Sequence, residues 1–164
     1  MSEQLWVVRA GREAKFAGEF VDGSYIAIAF REFASDDLSL INEDMVKMRA
    51  HTPTDRSHAR QLIAFAYTME VGDLIIVPRL TTTHRDYLLA RINGPYRHVV
   101  QVVIAGVKGS GNHQRPVEWL GAFTQDSLDE SVARSLGSIS TLFRPRSAES
   151  ELRGVIASLA SLEQ

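Results

Sequence analysis

Aromatic rings close to arginines are the residue types in this sequence best suited to chemistry, and that chemistry is recognition rather than bond making. Trp6, Tyr25, Phe30, Phe65, Tyr67, Tyr87, Tyr96 and Trp119 fall on or beside expected strands and on the helix before Val71. An aromatic face stacks on an extruded base, while arginine and amide groups read the base edge. Phe65 and Tyr87 are expected in the core. Trp6 and Trp119 suit either setting, because tryptophan is seldom completely buried. The cationic residues are 15 Arg against only Lys15, Lys47 and Lys108. Arginine suits bidentate contacts to phosphate and base edges better than lysine does.

Other chemistries fit the residues less well. Gly106-Val107-Lys108-Gly109-Ser110-Gly111 lacks the Gly-Lys-Ser/Thr triplet of a phosphate loop. Asn112-His113-Gln114-Arg115-Pro116 follows it, with no amphipathic helix to offer an N-terminus to a phosphate, so a hairpin loop is expected. His51, His58, His84, His98 and His113 form no His-x-x-x-His pair and fall in or near expected loops or exposed helix positions. No metal site is therefore expected, and these histidines are read as solvated or as contacts beside phosphate. Glu13-Ala14-Lys15 supplies half of a nuclease signature, but no Asp precedes position 13 to help bind the metal, so both charged residues are read as surface. Ser110 and His113 have nothing to orient the imidazole, and a glycine loop is a poor place for a preorganised nucleophile. The sequence contains no cysteine, which excludes disulfides, thiolate zinc sites and thiol catalysis. No catalytic residue and no cofactor is expected.

Charge is unevenly distributed behind a net value of −2. Residues 1–44 carry 4 Lys/Arg and 9 Asp/Glu, residues 45–115 carry 10 and 4, and residues 116–164 carry 4 and 7. The central block also holds all 5 His, which makes it the expected face for an anionic partner. With 164 residues, 45% of them hydrophobic and 23% charged, the chain can bury a core of its own. Its longest apolar runs are too short to span a bilayer. Met1-Ser2-Glu3-Gln4 shows no basic region followed by an apolar stretch, so a cytoplasmic protein without a membrane partner is expected.

The elements that must position these residues follow from periodicity. Leu5-Trp6-Val7-Val8-Arg9 reads as a strand, then residues 12–21 as a helix with Phe16 and Phe20 one turn apart. Asp22-Gly23 marks a turn into a strand over 24–30. A helix is expected over 38–49, with Leu38, Ile41, Met45 and Met48 on one side. Thr52-Pro53-Thr54 breaks it. Asp55 or Ser57 caps the next helix, which runs to Met69. Four strands follow, over 74–78, 86–92, 99–104 and 116–123, with residues 106–111 as a connector. Helices over 126–136 and 148–162 close the chain. The expected fold class is α+β, a mixed β-barrel of five or six strands with inserted helices and C-terminal helices. Residues 1–143 form the barrel domain, and 144–164 a short linker, Arg144-Pro145-Arg146-Ser147, with a helix as bridge or appendage.

Trp6-Val7-Val8-Arg9-Ala10-Gly11 resembles the opening of a module found at the N-terminus of Mrr-like restriction endonucleases. The likeness continues through Tyr25-Ile26-Ala27-Ile28-Ala29-Phe30, Gln61-Leu62-Ile63-Ala64-Phe65 and Val71-Gly72-Asp73-Leu74-Ile75-Ile76-Val77-Pro78. It extends to Tyr87-Leu88-Leu89-Ala90-Arg91-Ile92-Asn93-Gly94-Pro95-Tyr96, His113-Gln114-Arg115-Pro116-Val117-Glu118-Trp119-Leu120 and Ser135-Leu136-Gly137-Ser138. That module is similar to the PUA-like group, which includes EVE, YTH and SRA-like domains. The resemblance implies a barrel that holds a flipped, modified base in DNA, as part of a restriction or phage-defence system. No Asp…Glu-x-Lys set follows the barrel here, so recognition without cleavage is expected, with any nuclease as a fused or separate partner. The expected base pocket is Trp6, Arg9, Ala10, Tyr25, Phe30 and Gln61, with Gln61 supplying a donor and an acceptor. Arg60, Arg79, Arg85 and Arg97 are the expected phosphate contacts. For Arg9 the alternative is a structural salt bridge. RNA in place of DNA, or a stand-alone regulatory or interaction domain, are the competing readings of function, followed by an unrecognised small hydrolase.

Overall fold

Alternation along the strands decides the architecture. Leu5, Val7, Leu74, Ile76, Tyr87 and Leu89 point into one apolar cluster, and Trp6, Val8, Ile75, Val77, Leu88 and Ala90 into another. A sheet with both faces apolar must be covered on both sides. The computed structural model describes residues 3–81, 83–100, 111–138 and 140–162. Among the described residues seven strands form one mixed sheet: Leu5–Val8 (β1), Tyr25–Ile28 (β2), Leu74–Leu80 (β3), Arg85–Ile92 (β4), Arg97–His98 (β5), His113–Thr124 (β6) and Leu142–Phe143 (β7). The order is β2-β6-β4-β3-β1-β7, with β5 paired to β6 outside that path. Among the described residues only β1 and β3 run parallel, from Leu5↔Leu74 to Val7↔Ile76. The other pairs are antiparallel.

The long strand β6 curls the sheet into a half-barrel. Its first residues pair with β2 and β5, and Val117 onward pairs with β4. The register shifts between Leu89 and Ala90, where Gly121 and Trp119 are the partners and Leu120 is the extra residue. Such a bulge bends the strand that carries it, and Gly121 at φ 155° follows directly.

Helices Ala17–Gly23 (α1), Glu43–Met48 (α2) and Pro53–Ile63 (α3) are inserted after β1 and β2, and Glu130–Ser135 (α4) and Glu149–Leu162 (α5) follow the sheet. The mixed α+β class and the insertion points agree with the expectation, and the expected barrel of five or six strands is present as a half-barrel, to which the two-residue strands β5 and β7 also pair. Several local features differ. The helix expected over 38–49 is only α2, because side chains take the backbone groups that a longer helix would use. Asn42 Oδ1 accepts from Met45 N–H at 2.9 Å, Tyr67 Oη lies 2.8 Å from both the Leu38 and the Ile41 carbonyls with one proton shared between them, and Leu38 N–H donates to Tyr96 Oη at 3.2 Å.

The cap of α3 is Thr52 rather than Asp55 or Ser57. Thr52 Oγ1 accepts from Asp55 N–H at 3.0 Å, Asp55 Oδ2 accepts from His51 N–H at 3.1 Å, and Pro53 opens the helix where no N–H is needed. The helix expected over 12–21 divides into a 3-10 turn, Arg12–Ala14, and α1, with Glu13 and Ala14 at positive φ in the turn. Residues 101–104 of the expected strand over 99–104, and residues 106–110 of the connector, lie outside the described residues; Arg97–His98 is the strand observed beside them.

The last helix is no appendage. Leu152 is completely buried with Leu5, Val7 and Ile76, and Arg153 Nη2 donates to the Glu3 carbonyl at 2.7 Å. Among the described residues no helix is long and apolar enough to cross a membrane.

Candidate functional site

Two clefts are joined by a backbone hydrogen bond just after β1. The first holds about 190 Å3 and is lined by Arg9, Ala10, Gly11, Glu13, Pro78, Arg79, Arg85 and Ser138, among others. Its floor is the end of β1 and the β3–β4 hairpin, whose register sets Arg79 opposite Asp86 and Leu80 opposite Arg85. Arg79 is engaged: Nε donates to Asp86 Oδ1 at 3.0 Å and Nη2 to Oδ2 at 2.6 Å, a fork-to-fork pair with the carboxylate nearly buried. That pair raises the Arg79 pKa further above its ordinary value. Three arginines thus line one cleft against Glu13 and the neutralising Asp86. Gly11 at φ +78° has Phe16 Cδ2 at 2.5 Å from where a Cβ would sit, so no larger residue turns the chain here without a clash.

The second cleft holds about 350 Å3 and is lined by Phe30, Pro53, Thr54, Ser57, His58, Gln61, Ser140 and Thr141. The His58 ring lies parallel on Phe30, with centroids 3.9 Å apart and planes at 9°, and its Nδ1 is held by Glu32 Oε1. Gln61 is fixed at both ends of its amide: Oε1 accepts from Leu142 N–H at 2.9 Å, and Nε2 donates to Ser57 Oγ at 3.3 Å. The clefts are tied together where Arg9 N–H, from the first lining, donates to the Thr141 carbonyl, from the second, at 2.8 Å.

The sequence-expected residues divide between these clefts and other places. Arg9, Ala10, Arg79 and Arg85 share the first cleft, and Phe30 and Gln61 share the second. Trp6 is not a stacking surface: it is 5% exposed, its Nε1 donates to the buried Asp73 at 3.0 Å, and the Arg144 guanidinium lies 5.6 Å over its ring. Ala10 is buried and contributes wall rather than contact area. Tyr25 lies away from both clefts on β2, where its Oη donates to Glu19 at 2.9 Å and Arg97 sits 6.0 Å over its ring. Arg97 Nε also donates to Gln114 Oε1 at 3.2 Å. Arg60 is exposed on α3 beside Arg56 and Lys47, outside both clefts. Phe65 and Tyr87 are core, as expected.

Sequence reasoning passed over His58, Ser57 and Thr54. The signal was present: Thr54, Ser57, His58 and Gln61 are spaced to share one helix face, while Ala59, Leu62 and Ile63 bury the other.

Two members of the basic central block belong to the interior. Arg115 is 3% exposed and makes four hydrogen bonds to three carbonyl oxygens, those of Gly94, Phe65 and Met69, at 2.8–3.3 Å. It closes the C-terminal end of the π-turn Ala64–Thr68 that continues α3, where a cation is favoured. Burial lowers its pKa. His113, expected near the surface, is 0% exposed on β6. Its Nε2 donates to the Phe33 carbonyl at 3.0 Å, which leaves Nδ1 to accept from Tyr96 Oη at 2.7 Å. Burial holds His113 neutral, with its pKa pushed down to about 4, and pushes Tyr96 up to about 12. His98 Nε2 holds the Ala34 carbonyl at 2.9 Å. These rings clamp the segment after β2 that carries Phe30 and Glu32 to the second cleft.

An α+β half-barrel with an arginine-lined cleft bonded to an aromatic and amide cleft is the class that the fold and site define. Residues 6–144 match the family described as a domain of unknown function, DUF8426, and the chain belongs to that family. No curated protein matches it.

Proposed function

We propose that this domain is a PUA-like nucleic-acid reader that binds DNA and holds an extruded, modified base, as part of a restriction or phage-defence system. The observation that carries the reading is the pair of clefts joined at Arg9 and Thr141. Backbone phosphate sits against Arg9 and Arg85 in the first cleft. The base enters the second, against the His58 ring, which the buried Phe30 backs, and the Gln61 amide. Extruding a base costs a few kcal/mol, least when it is mismatched or damaged, and stacking on an aromatic surface returns about 1–3 kcal/mol. The balance is close enough that edge contacts decide which base is held. The curled sheet and the insertions after β1 and β2 also suit the EVE-related resemblance. The domain recognises without cutting, and any nuclease is supplied by another domain or protein in the cytoplasm.

The test is a titration, at fixed salt, of duplexes carrying cytosine, methylcytosine, hydroxymethylcytosine, glucosylated cytosine or methyladenine. A spread of about tenfold or more across the set is expected. Equal affinities that all vanish at high salt contradict base reading. Single-stranded RNA binding tighter than every duplex moves the reading to an RNA-binding module.

A further inference from the structure

We infer that the second cleft selects bases presenting two adjacent hydrogen-bond acceptors, as cytosine does with O2 and N3 and guanine with O6 and N7. This rests on the nucleic-acid reading above and names the edge that the cleft accepts. The argument is an accounting of Gln61 and Ser57. A free glutamine amide offers an acceptor and donors alike. Here the Leu142 N–H requires an oxygen, so Oε1 is turned inward to β7, at 2.9 Å. The Nε2 end then faces Ser57, whose Oγ accepts one of its two protons at 3.3 Å. The second Nε2 proton remains for a ligand, and Ser57 keeps its own hydroxyl proton to donate. Thr54 adds a hydroxyl of free orientation to the same lining. Gln61 Nε2 is thereby fixed as a donor, and the Ser57 hydroxyl stands beside it with a proton to give.

Adjacent donors match adjacent acceptors. Cytosine and guanine each carry such a pair on one edge, whereas thymine interrupts its carbonyls with N3–H and adenine sets N6–H2 between N1 and N7. The His58 ring, backed by the buried Phe30 at 3.9 Å, supplies a flat surface that any base can use, so the choice falls to Gln61 and Ser57. Gln61 is a good site for a change of polarity. Its Leu142 bond needs only an oxygen, which glutamate also supplies.

The experiment uses duplexes with one central nucleotide placed opposite an abasic site, so that all four bases are extruded at similar cost. Affinities for cytosine, guanine, thymine and adenine are measured at one salt concentration, with wild type, Gln61→Glu and Ser57→Ala. Thermal melting of each variant accompanies the titrations. Wild type is expected to hold cytosine, guanine or both about tenfold more tightly than thymine and adenine. Gln61→Glu is expected to keep its melting midpoint close to wild type and to bring the four affinities within about threefold. The ratio is the readout, because the added negative charge weakens binding to every duplex. Ser57→Ala reduces the preference without adding charge, and is the control should Gln61→Glu melt early. Thymine or adenine held as tightly as cytosine and guanine, or a preference unchanged in both variants, overturns the donor assignment while leaving nucleic-acid binding intact. Absence of salt-dependent binding to any duplex removes the underlying reading, and the inference with it.

Discussion

On one face of the sheet, Leu5, Val7, Leu74, Ile76 and Leu89 lie under Val132, Leu136 and Leu152 of the C-terminal part of the chain. On the other, Trp6, Val8, Ile75, Val77 and Leu88 lie under the segments inserted after β1 and β2. The first cover is almost wholly aliphatic, apart from the Tyr87–Phe123 stack at 5.4 Å. The second is threaded with buried polar groups: Asp73 on Trp6, Arg115 on three carbonyls, and His113 between Phe33 and Tyr96. Aliphatic packing tolerates small shifts and specifies little direction. A fully satisfied polar network fixes orientation. The inserted side needs that precision, because it carries Phe30, His58 and Gln61 to the second cleft. The comparison teaches that one face supplies stability and the other also supplies geometry.

The largest expected effect lies in the polar face. Arg115→Met removes four hydrogen bonds and leaves three carbonyls without their cation, so urea denaturation should show a loss of about 3–5 kcal/mol. Leu152→Ala on the aliphatic face leaves a cavity in a site that is completely buried, and should cost about 3 kcal/mol in the same measurement. Its consequence should differ in kind: base discrimination survives in Leu152→Ala wherever the protein remains folded.

Acid sharpens the contrast further. His113 titrates at about 4 in the fold and near 6.5 when unfolded, so the folded state binds fewer protons between those values. Stability from this group is complete above pH 6.5 and is lost as pH falls toward 4. The loss should reach about 2 kcal/mol by pH 5, and His113→Gln should flatten that part of the profile in a series of denaturant midpoints. The smallest effect is at the surface. Arg153→Ala breaks half-exposed pairs with Glu3 and Glu149 and the bond to the Glu3 carbonyl, and should cost about 1 kcal/mol with no change in DNA binding.

The aliphatic face was legible in part, because Leu152, Val155, Ile156 and Leu159 recur at helical spacing along the last helix. So were the insertion points of the helices. The polar face was not. Counting charge along the chain took Arg115 as part of a basic surface, yet its partners are carbonyls up to 50 residues away in sequence, which composition does not register. Trp6 looked like a stacking ring because nothing local announces Asp73, 67 positions on, as its partner. Of the ten residues expected at the site, Arg9, Ala10, Arg79 and Arg85 line one cleft, and Phe30 and Gln61 the other. His58 was readable from its helical spacing with Gln61, but that spacing gains meaning only once the opposite face of α3 is known to be buried. The division of the residues between two clefts depends on the β3–β4 register and on the Arg9–Thr141 bond, both long-range features.

The most direct test of the two-cleft account follows backbone amide resonances of the 15N-labelled protein during titration with a duplex carrying one unpaired cytosine. The account predicts saturable shifts at Arg9, Gly11 and Arg85 together with shifts at His58, Gln61 and Thr141, while α5 stays unchanged. Raising the salt should reverse both groups in step. Shifts confined to one cleft, or centred on the exposed Arg60 side of α3 or on α5, would contradict it.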